Sequence, residues 1–316
     1  MSEWQLKTPV AFIIFNRSDT TERVFAEIAK AKPSKLLVVA DGPRANRPGE
    51  AEKCATTRAV IERVDWPCEV LTNFSDINLG CKRRVSSGID WVFEQVEEAI
   101  ILEDDCLPDP SFFRFCQEML DRYRSDERVA MISGDNFLFG KKVIPESYYF
   151  SRYMHIWGWA SWRRAWKDYD VEIAAWPSVR SSGLIDALFR SRGERDYWCK
   201  AFDGVFDGRI DTWDYQWVLS CWLQSRLAIM PEVNLISNIG FGPSATHTTG
   251  ASVYADMATR AMEFPLRHPQ HVSPNVMTDD ITGRGQFTTS FSRRLVNKIK
   301  GLIKSILRRT STLNVR

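Results

Sequence analysis

The chain has 316 residues, 44% of them hydrophobic and 26% charged, which excludes a disordered or low-complexity protein and supplies core for one large α/β domain or two fused halves. Its net charge of +2 hides an asymmetry: residues 291–316 carry eight Lys/Arg and no Asp/Glu, leaving a body with a balance of −6. Such a body argues against a nucleic-acid groove, so no nucleic-acid partner is expected, and the basic tail is a separate question.

Seven cysteines, an odd number with no Cys-x-x-Cys pair, read as reduced thiols of a cytosolic protein. The apolar run Pro9–Phe15 is too short to span a bilayer and lacks the flanks of a signal peptide. It reads instead as a strand buried on both faces. Asp19-Thr-Thr-Glu22 forms a capping box before Val24, Phe25 and Ile28 at helical spacing. Leu36–Val39 is a second strand, closed by Asp41-Gly42-Pro43, and a polar helix runs on to about Val64. Cys68–Leu71 is a third strand, Lys82–Glu98 a helix with Val85, Ile89, Val92 and Phe93 on its apolar face, and Ala99–Leu102 a fourth strand. Asp109-Pro110 opens a helix to about Tyr123. Strands alternating with helices predict a mostly parallel sheet flanked by helices. The second half is an aromatic-rich lobe, with nine of twelve tryptophans between Trp157 and Trp222; Trp162 and Trp166 sit at helical spacing.

Glu103-Asp104-Asp105 follows the fourth strand directly. Ligands of open α/β sheets sit at the carboxyl ends of strands. Three adjacent carboxylates repel one another unless a cation is present. Their oxygens suit Mg²⁺ or Mn²⁺, which would bridge to a diphosphate; a solvated acidic turn is the plain alternative.

The run Glu103-Asp-Asp-Cys-Leu-Pro-Asp-Pro-Ser-Phe-Phe113 resembles the metal-binding motif of GT-A fold glycosyltransferases, most nearly the N-acetylglucosaminyltransferase I group and bacterial family 2-type enzymes. The resemblance continues in chain order from about Pro9 to Thr248. It implies a Rossmann-like GT-A domain, assigned to residues 1–255, with a nucleotide-binding half (1–140) and an acceptor half (141–255); an extension (256–290) and a basic helix (291–316) lie outside the resemblance. The implied donor is a nucleotide sugar, with UDP expected. Asn16 and Arg17, Asn78, Lys82 and Arg83, and Glu103 and Asp104 would face it. Asp41 would read the base edge, or else be a turn residue of Asp-Gly-Pro. Asp105 would hold the metal, with His247 of the loop Ser237–Thr248 completing the metal or phosphate shell, unless it is an ordinary loop residue.

On the acceptor side the resemblance assigns Trp157, Gly158 and Trp159 to contact with a glycan or lipid-linked sugar, where indole faces stack on sugar rings. The family's Trp-Asp motif falls on Trp213-Asp214, making Asp214 the general base of an inverting transfer, with Asp211 its rival and a helix N-cap the structural alternative. Phe291, Leu295, Ile299, Leu302, Ile303 and Ile306 recur at helical spacing among Lys and Arg, a pattern suited to an anionic inner-membrane surface or to packing on the body or a second subunit. A cytoplasmic enzyme, peripherally attached to the inner membrane, is expected. The other readings are a sugar-nucleotide nucleotidyltransferase, which would need a Gly-rich loop that Phe15-Asn-Arg-Ser18 lacks, and a non-catalytic carbohydrate-binding module.

Overall fold

In the computed structural model, which describes residues 4–141, 144–241 and 253–287, the first half alternates as the sequence predicts. Strand β1 (Val10–Ile14), helix α1 (Ser18–Ala31), β2 (Lys35–Ala40), α2 (Glu50–Ala59), β3 (Glu69–Phe74), α3 (Gly80–Gln95) and β4 (Glu98–Glu103) follow in order. Then come β5 (Cys106–Pro108), α4 (Ser111–Arg122), β6 (Val129–Ser133), β7 (Tyr148–Ser151) and β8 (Trp159–Trp162). Four helices follow on one another: α5 (Arg163–Trp166), α6 (Trp176–Ser182), α7 (Leu184–Leu188) and α8 (Arg192–Phe206). Helix α9 (Asp214–Leu223), β9 (Leu227–Pro231), β10 (Ile236–Asn238) and α10 (Val276–Gln286) complete the described chain.

Eight strands form one sheet in the order β3-β2-β1-β4-β8-β6-β9-β7. Strands β3, β2, β1 and β4 are mutually parallel, β8 is antiparallel to both β4 and β6, β9 is parallel to β6, and β7 is antiparallel to β9. The fold is therefore a mostly parallel, helix-flanked α/β sheet of the Rossmann-like type. In register, Ile14 lies opposite Ala40 and Ile13 opposite Glu103, so β1, β2 and β4 end level. Arg17, Asp41 and the acidic triplet consequently emerge along one edge.

The period of two along the strands sorts the core into two layers. Ala11, Ile13, Leu37, Val39 and Ile101 face α3 and the tryptophan-rich lobe. Val10, Phe12, Leu36, Val38 and Ile100 face Val24 and Ile28 of α1 and Phe112, Phe115 and Met119 of α4. Arg84, buried in α3, donates to the carbonyls of Ala40 and Asn73 and to Asn73 Oδ1 at 2.8 Å, satisfying chain ends that would otherwise be stranded.

Two local expectations change. The capping box does not form: α1 begins two residues early, with Arg17 rather than Asp19 at the cap and no side-chain cap bond, so Asp19 sits inside the first turn. Trp162 ends β8 while Trp166 lies in α5, so their spacing reflects a strand-to-helix junction. Segment 163–223 is helical, and it packs its aromatics inward. The cysteines among the described residues, all seven, are free thiols. His247 and the basic segment 291–316 lie outside the described residues. Among those described, no helix is long and apolar enough to cross a membrane.

Trp217 is fully buried, 5.1 Å from the Trp166 ring and 5.8 Å from Trp159. Replacing it by Ala should cost about 3–5 kcal/mol through lost burial and a cavity. The urea midpoint, followed by far-UV circular dichroism, measures this.

Candidate active site at the carboxyl edge of the sheet

The triplet leaves β4 beside β1, where the strand order reverses, a place where a crevice opens. Asp104 is 4% exposed. Arg17, the residue that starts α1, turns back onto it: its Nη2 binds Asp104 Oδ1 and, at 2.8 Å, Asp105 Oδ2. Arg17, expected to face a nucleotide, is thus placed directly on the triplet. Its guanidinium supplies part of the positive charge that three neighbouring carboxylates require. Burial lowers the pKa of Arg17, but Asp104 and Asp105 outweigh it and hold the group more firmly charged than usual.

One guanidinium does not neutralise three carboxyls. Burial, Asp105 and Asp104 push Glu103 up from 4.5 to about 8, with Arg17 opposing and Asp214 adding to the rise. Burial likewise carries Asp104 from 3.8 to about 6 against the pull of Arg17. Asp104 Oδ2 is buried with no hydrogen-bond partner, an unsatisfied acceptor of the kind a cation or donor group completes.

Asp214 opens α9 and accepts a bond from Thr212 Oγ1 on Oδ1. Its negative charge adds to the rise of the Glu103 pKa, so Asp214 lies within electrostatic reach of the triplet. Its rival Asp211 is engaged elsewhere, where Oδ1 accepts from Lys82 N at 3.2 Å at the start of α3, as a capping acceptor does.

The late loop also arrives here. β10 pairs antiparallel with β5, and Ile239 N donates to Asp105 O at 2.8 Å. At Gly240 a Cβ would stand 2.0 Å from Asp105 Oδ2 and 2.7 Å from Arg17 Nη1, so only glycine passes there without displacing the pair.

Other expected residues are placed elsewhere. Asn16 donates to Glu50 Oε1 at 3.0 Å. Asp41 is buried, and its oxygens accept from Gly42 N, Leu79 N, Gly80 N and Asn78 Nδ2. It pins the loop before α3, and burial raises its pKa against those hydrogen bonds; Asn78 serves the same loop, donating also to Gly42 O. Lys82 and Arg83 turn onto Glu172, at 2.8 and 3.0 Å, which satisfies them without a phosphate.

Trp159, expected on the acceptor side, is 1% exposed and stacks 5.7 Å from Trp213 in the core. Gly158, at φ +59°, is buried and makes its close pass against Ile236 and Leu102. Trp157 remains half-buried against Phe137 and Phe241. His155 is held edge-on to Phe137 at 4.5 Å; burial depresses its pKa to about 3 and leaves Nε2 unpartnered.

Asp135 escaped sequence reasoning. It is 1% exposed, its Oδ2 accepts from Trp157 N at 3.1 Å, and Oδ1 has no partner. Burial raises its pKa well above the carboxylate range. It follows the apolar strand Val129–Ser133, so the strand-end rule that found the triplet would have found it too.

The donor set at the triplet is all hard oxygen, with one orphaned atom on Asp104, and so fits a magnesium- or manganese-type ion. Among the described residues no three ligating side chains converge on one point. The fit is to an ion held by one or two carboxylates with the remaining positions filled by water and ligand oxygens, as Mg²⁺ commonly is.

No known family model and no curated protein sequence matches this chain. Solved structures do. A mannosyltransferase from Pyrobaculum calidifontis in complex with GDP-Man and Mn²⁺ is 11% identical over 69% of this chain and 70% of its own, at TM-score 0.40. The 4-diphosphocytidyl-2C-methyl-D-erythritol synthase of Anaerococcus prevotii is 11% identical over 69% and 99%, at 0.31. A UDP-glucose pyrophosphorylase complexed with UDP-glucose is 10% identical over 46% and 62%, at 0.25. Likenesses this distant carry no argument about chemistry, which rests on the site.

The raised carboxyls give stability a pH dependence. A carboxyl with its folded pKa above its unfolded one stabilises fully below the unfolded value, and the contribution is lost as pH rises through the folded value. For Glu103 that window runs from 4.5 to about 8. Glu103→Gln, neutral throughout, should melt roughly 3–6 °C above the parent at about pH 9 and level with it near pH 4. Calorimetry of metal-free protein at the two pH values measures the difference.

Proposed function

We propose that this chain is a glycosyltransferase that moves a sugar from a nucleotide-sugar donor to a glycan or lipid-linked acceptor, with inversion. The observation that carries the reading is the pairing of the triplet after β4 with the guanidinium of Arg17 after β1, with Asp214 at the start of α9 within electrostatic reach of Glu103. Acceptor activation needs one carboxylate facing the hydroxyl; departure of a nucleoside diphosphate needs positive charge on the other side. Asp214 supplies the first, taking the hydroxyl proton as the new glycosidic bond forms. Arg17 supplies fixed positive charge beside the triplet.

Asp105 and Asp104 are the residues that would hold a divalent ion. When bound, the ion supplies charge neutralisation for the leaving diphosphate. Glu103, held protonated near neutral pH by burial and by Asp105 and Asp104, keeps the edge from carrying a third full negative charge. UDP is the donor base expected. Asp41, saturated by its own loop, fixes backbone shape near the donor, and Lys82 and Arg83 would meet phosphates only after leaving Glu172. The basic segment 291–316, read from its sequence pattern alone, would bring the enzyme to the cytoplasmic face of the inner membrane at about 1 kcal/mol per cation.

A thermal-shift series with UDP- and GDP-sugars tests this. One donor should raise the melting temperature with Mn²⁺ and not without it, and Asp105→Ala should abolish the shift. Asp214→Asn should keep the shift while kcat falls about 10²–10⁴-fold. A nucleotidyltransferase would instead consume a nucleoside triphosphate and release pyrophosphate, which a phosphate-release assay distinguishes. Metal-independent donor binding that survives Asp105→Ala would overturn the reading.

A further inference from the structure

A run of aromatic rings leads away from the acidic edge. It starts at Phe241, next to the glycine that crowds Asp105. Phe241 meets Trp157 at 5.6 Å, Trp157 meets Phe137 at 5.6 Å, Phe137 meets Tyr254 at 5.5 Å, and Tyr254 meets Phe139 at 5.8 Å. Phe137 is buried and fixes the others from behind, whereas Phe241, Trp157 and Tyr254 are half-buried and Phe139 is 49% exposed. Phe139 stands at φ +51° and Gly140 at +76°. A bulky side chain in that conformation is uncommon, and such strain collects at ligand sites.

The run ends at a cavity of about 430 Å³ that Phe139 shares with Asn136, Lys141, Glu232, Asn234 and Arg260. Its charges are unevenly committed. The Glu232 carboxylate is 8% exposed and faces Arg267 at 3.5 Å. Lys141 and Arg260 are both exposed, and neither has an ion-pair partner among the described residues. A body with an acidic balance thus presents two free cations at the end of a sugar-stacking surface, a combination that fits an anionic saccharide: ring faces pack on aromatic rings, and Arg takes a carboxylate or phosphate through two donors.

We propose that this cavity is a distal subsite for an acidic sugar unit, carboxylate- or phosphate-bearing, of an extended glycan acceptor. The aromatic run carries the intervening neutral units toward the reacting end. The proposal rests on the transferase reading for the role of that glycan, but binding at the cavity is measured independently of donor, metal and turnover.

The test is titration calorimetry of the full chain, free of donor and metal, with tetragalacturonate, pentamannose 6-phosphate and neutral maltotetraose. At least one acidic oligosaccharide should bind 10-fold or more tightly than maltotetraose, and which one does so separates carboxylate from phosphate. The double variant Lys141→Gln/Arg260→Gln, both sites exposed, should erase that preference with an unchanged melting temperature. Phe139→Ala should weaken acidic and neutral chains alike by severalfold. Equal affinity for acidic and neutral chains, no binding of any, or an acidic preference that survives the double variant overturns the subsite. Asp105→Ala should lose the metal-dependent donor shift yet bind the acidic glycan as the parent does. Loss of donor binding in the parent would therefore sink the transferase reading alone, and loss of glycan binding this inference alone.

Discussion

Three carboxyl groups in sequence at the end of a buried strand impose a constraint that most of this structure answers. Their mutual repulsion is relieved in two ways at once. Arg17 is drawn back from the start of α1 to bridge Asp104 and Asp105, and Glu103 keeps its proton to about pH 8. Removing one member of a buried charge pair costs far more than the pair contributes, because the remaining charge is stranded. The position of α1, the level ends of β1 and β4, and the glycine at 240 are all conditions for that arrangement to exist.

The second half of the chain closes the same edge from above. The short β5–β10 ladder fastens the late loop to the residues just after the triplet, and α9 delivers Asp214 from behind a wall of stacked indoles. Trp159, Trp166, Trp213 and Trp217 are mutually packed, so the aromatic density that suggests sugar binding is largely scaffold. The rings left partly open are a smaller set on the outer side, around Trp157.

What the sequence discloses follows from range. Continuous apolar runs mark β1, β2 and β4, because a strand buried on both faces needs them, and the strand-end rule locates the triplet. Contacts that depend on distant chain cannot be read locally. Nothing near Arg17 says that it folds back on residues 104 and 105, and nothing near Lys82 points to Glu172. Asp41 in Asp-Gly-Pro suits turn or base equally; the turn is where the structure places its hydrogen bonds. A Trp-Gly-Trp run has one pattern whether its rings face a ligand or a neighbouring helix, so the packing of Trp159 on Trp213 is not legible from the sequence. Asp135 is legible by the same rule as the triplet and simply lacks a second carboxylate to draw attention.

Strand order has a further consequence for how the protein comes into being. The inner edge of β4 is paired by β8, residues 159–162, and β6 reaches the sheet only through β8. A nascent chain that has emerged only as far as residue 140 therefore exposes an open, apolar strand edge directly beside its most highly charged turn, and such edges invite association with other chains. The first half is consequently not a separable module. It becomes a finished surface only when the tryptophan-bearing strand β8 inserts between β4 and β6, which makes completion of this edge a late event in synthesis and ties it to the second half of the chain by backbone hydrogen bonds.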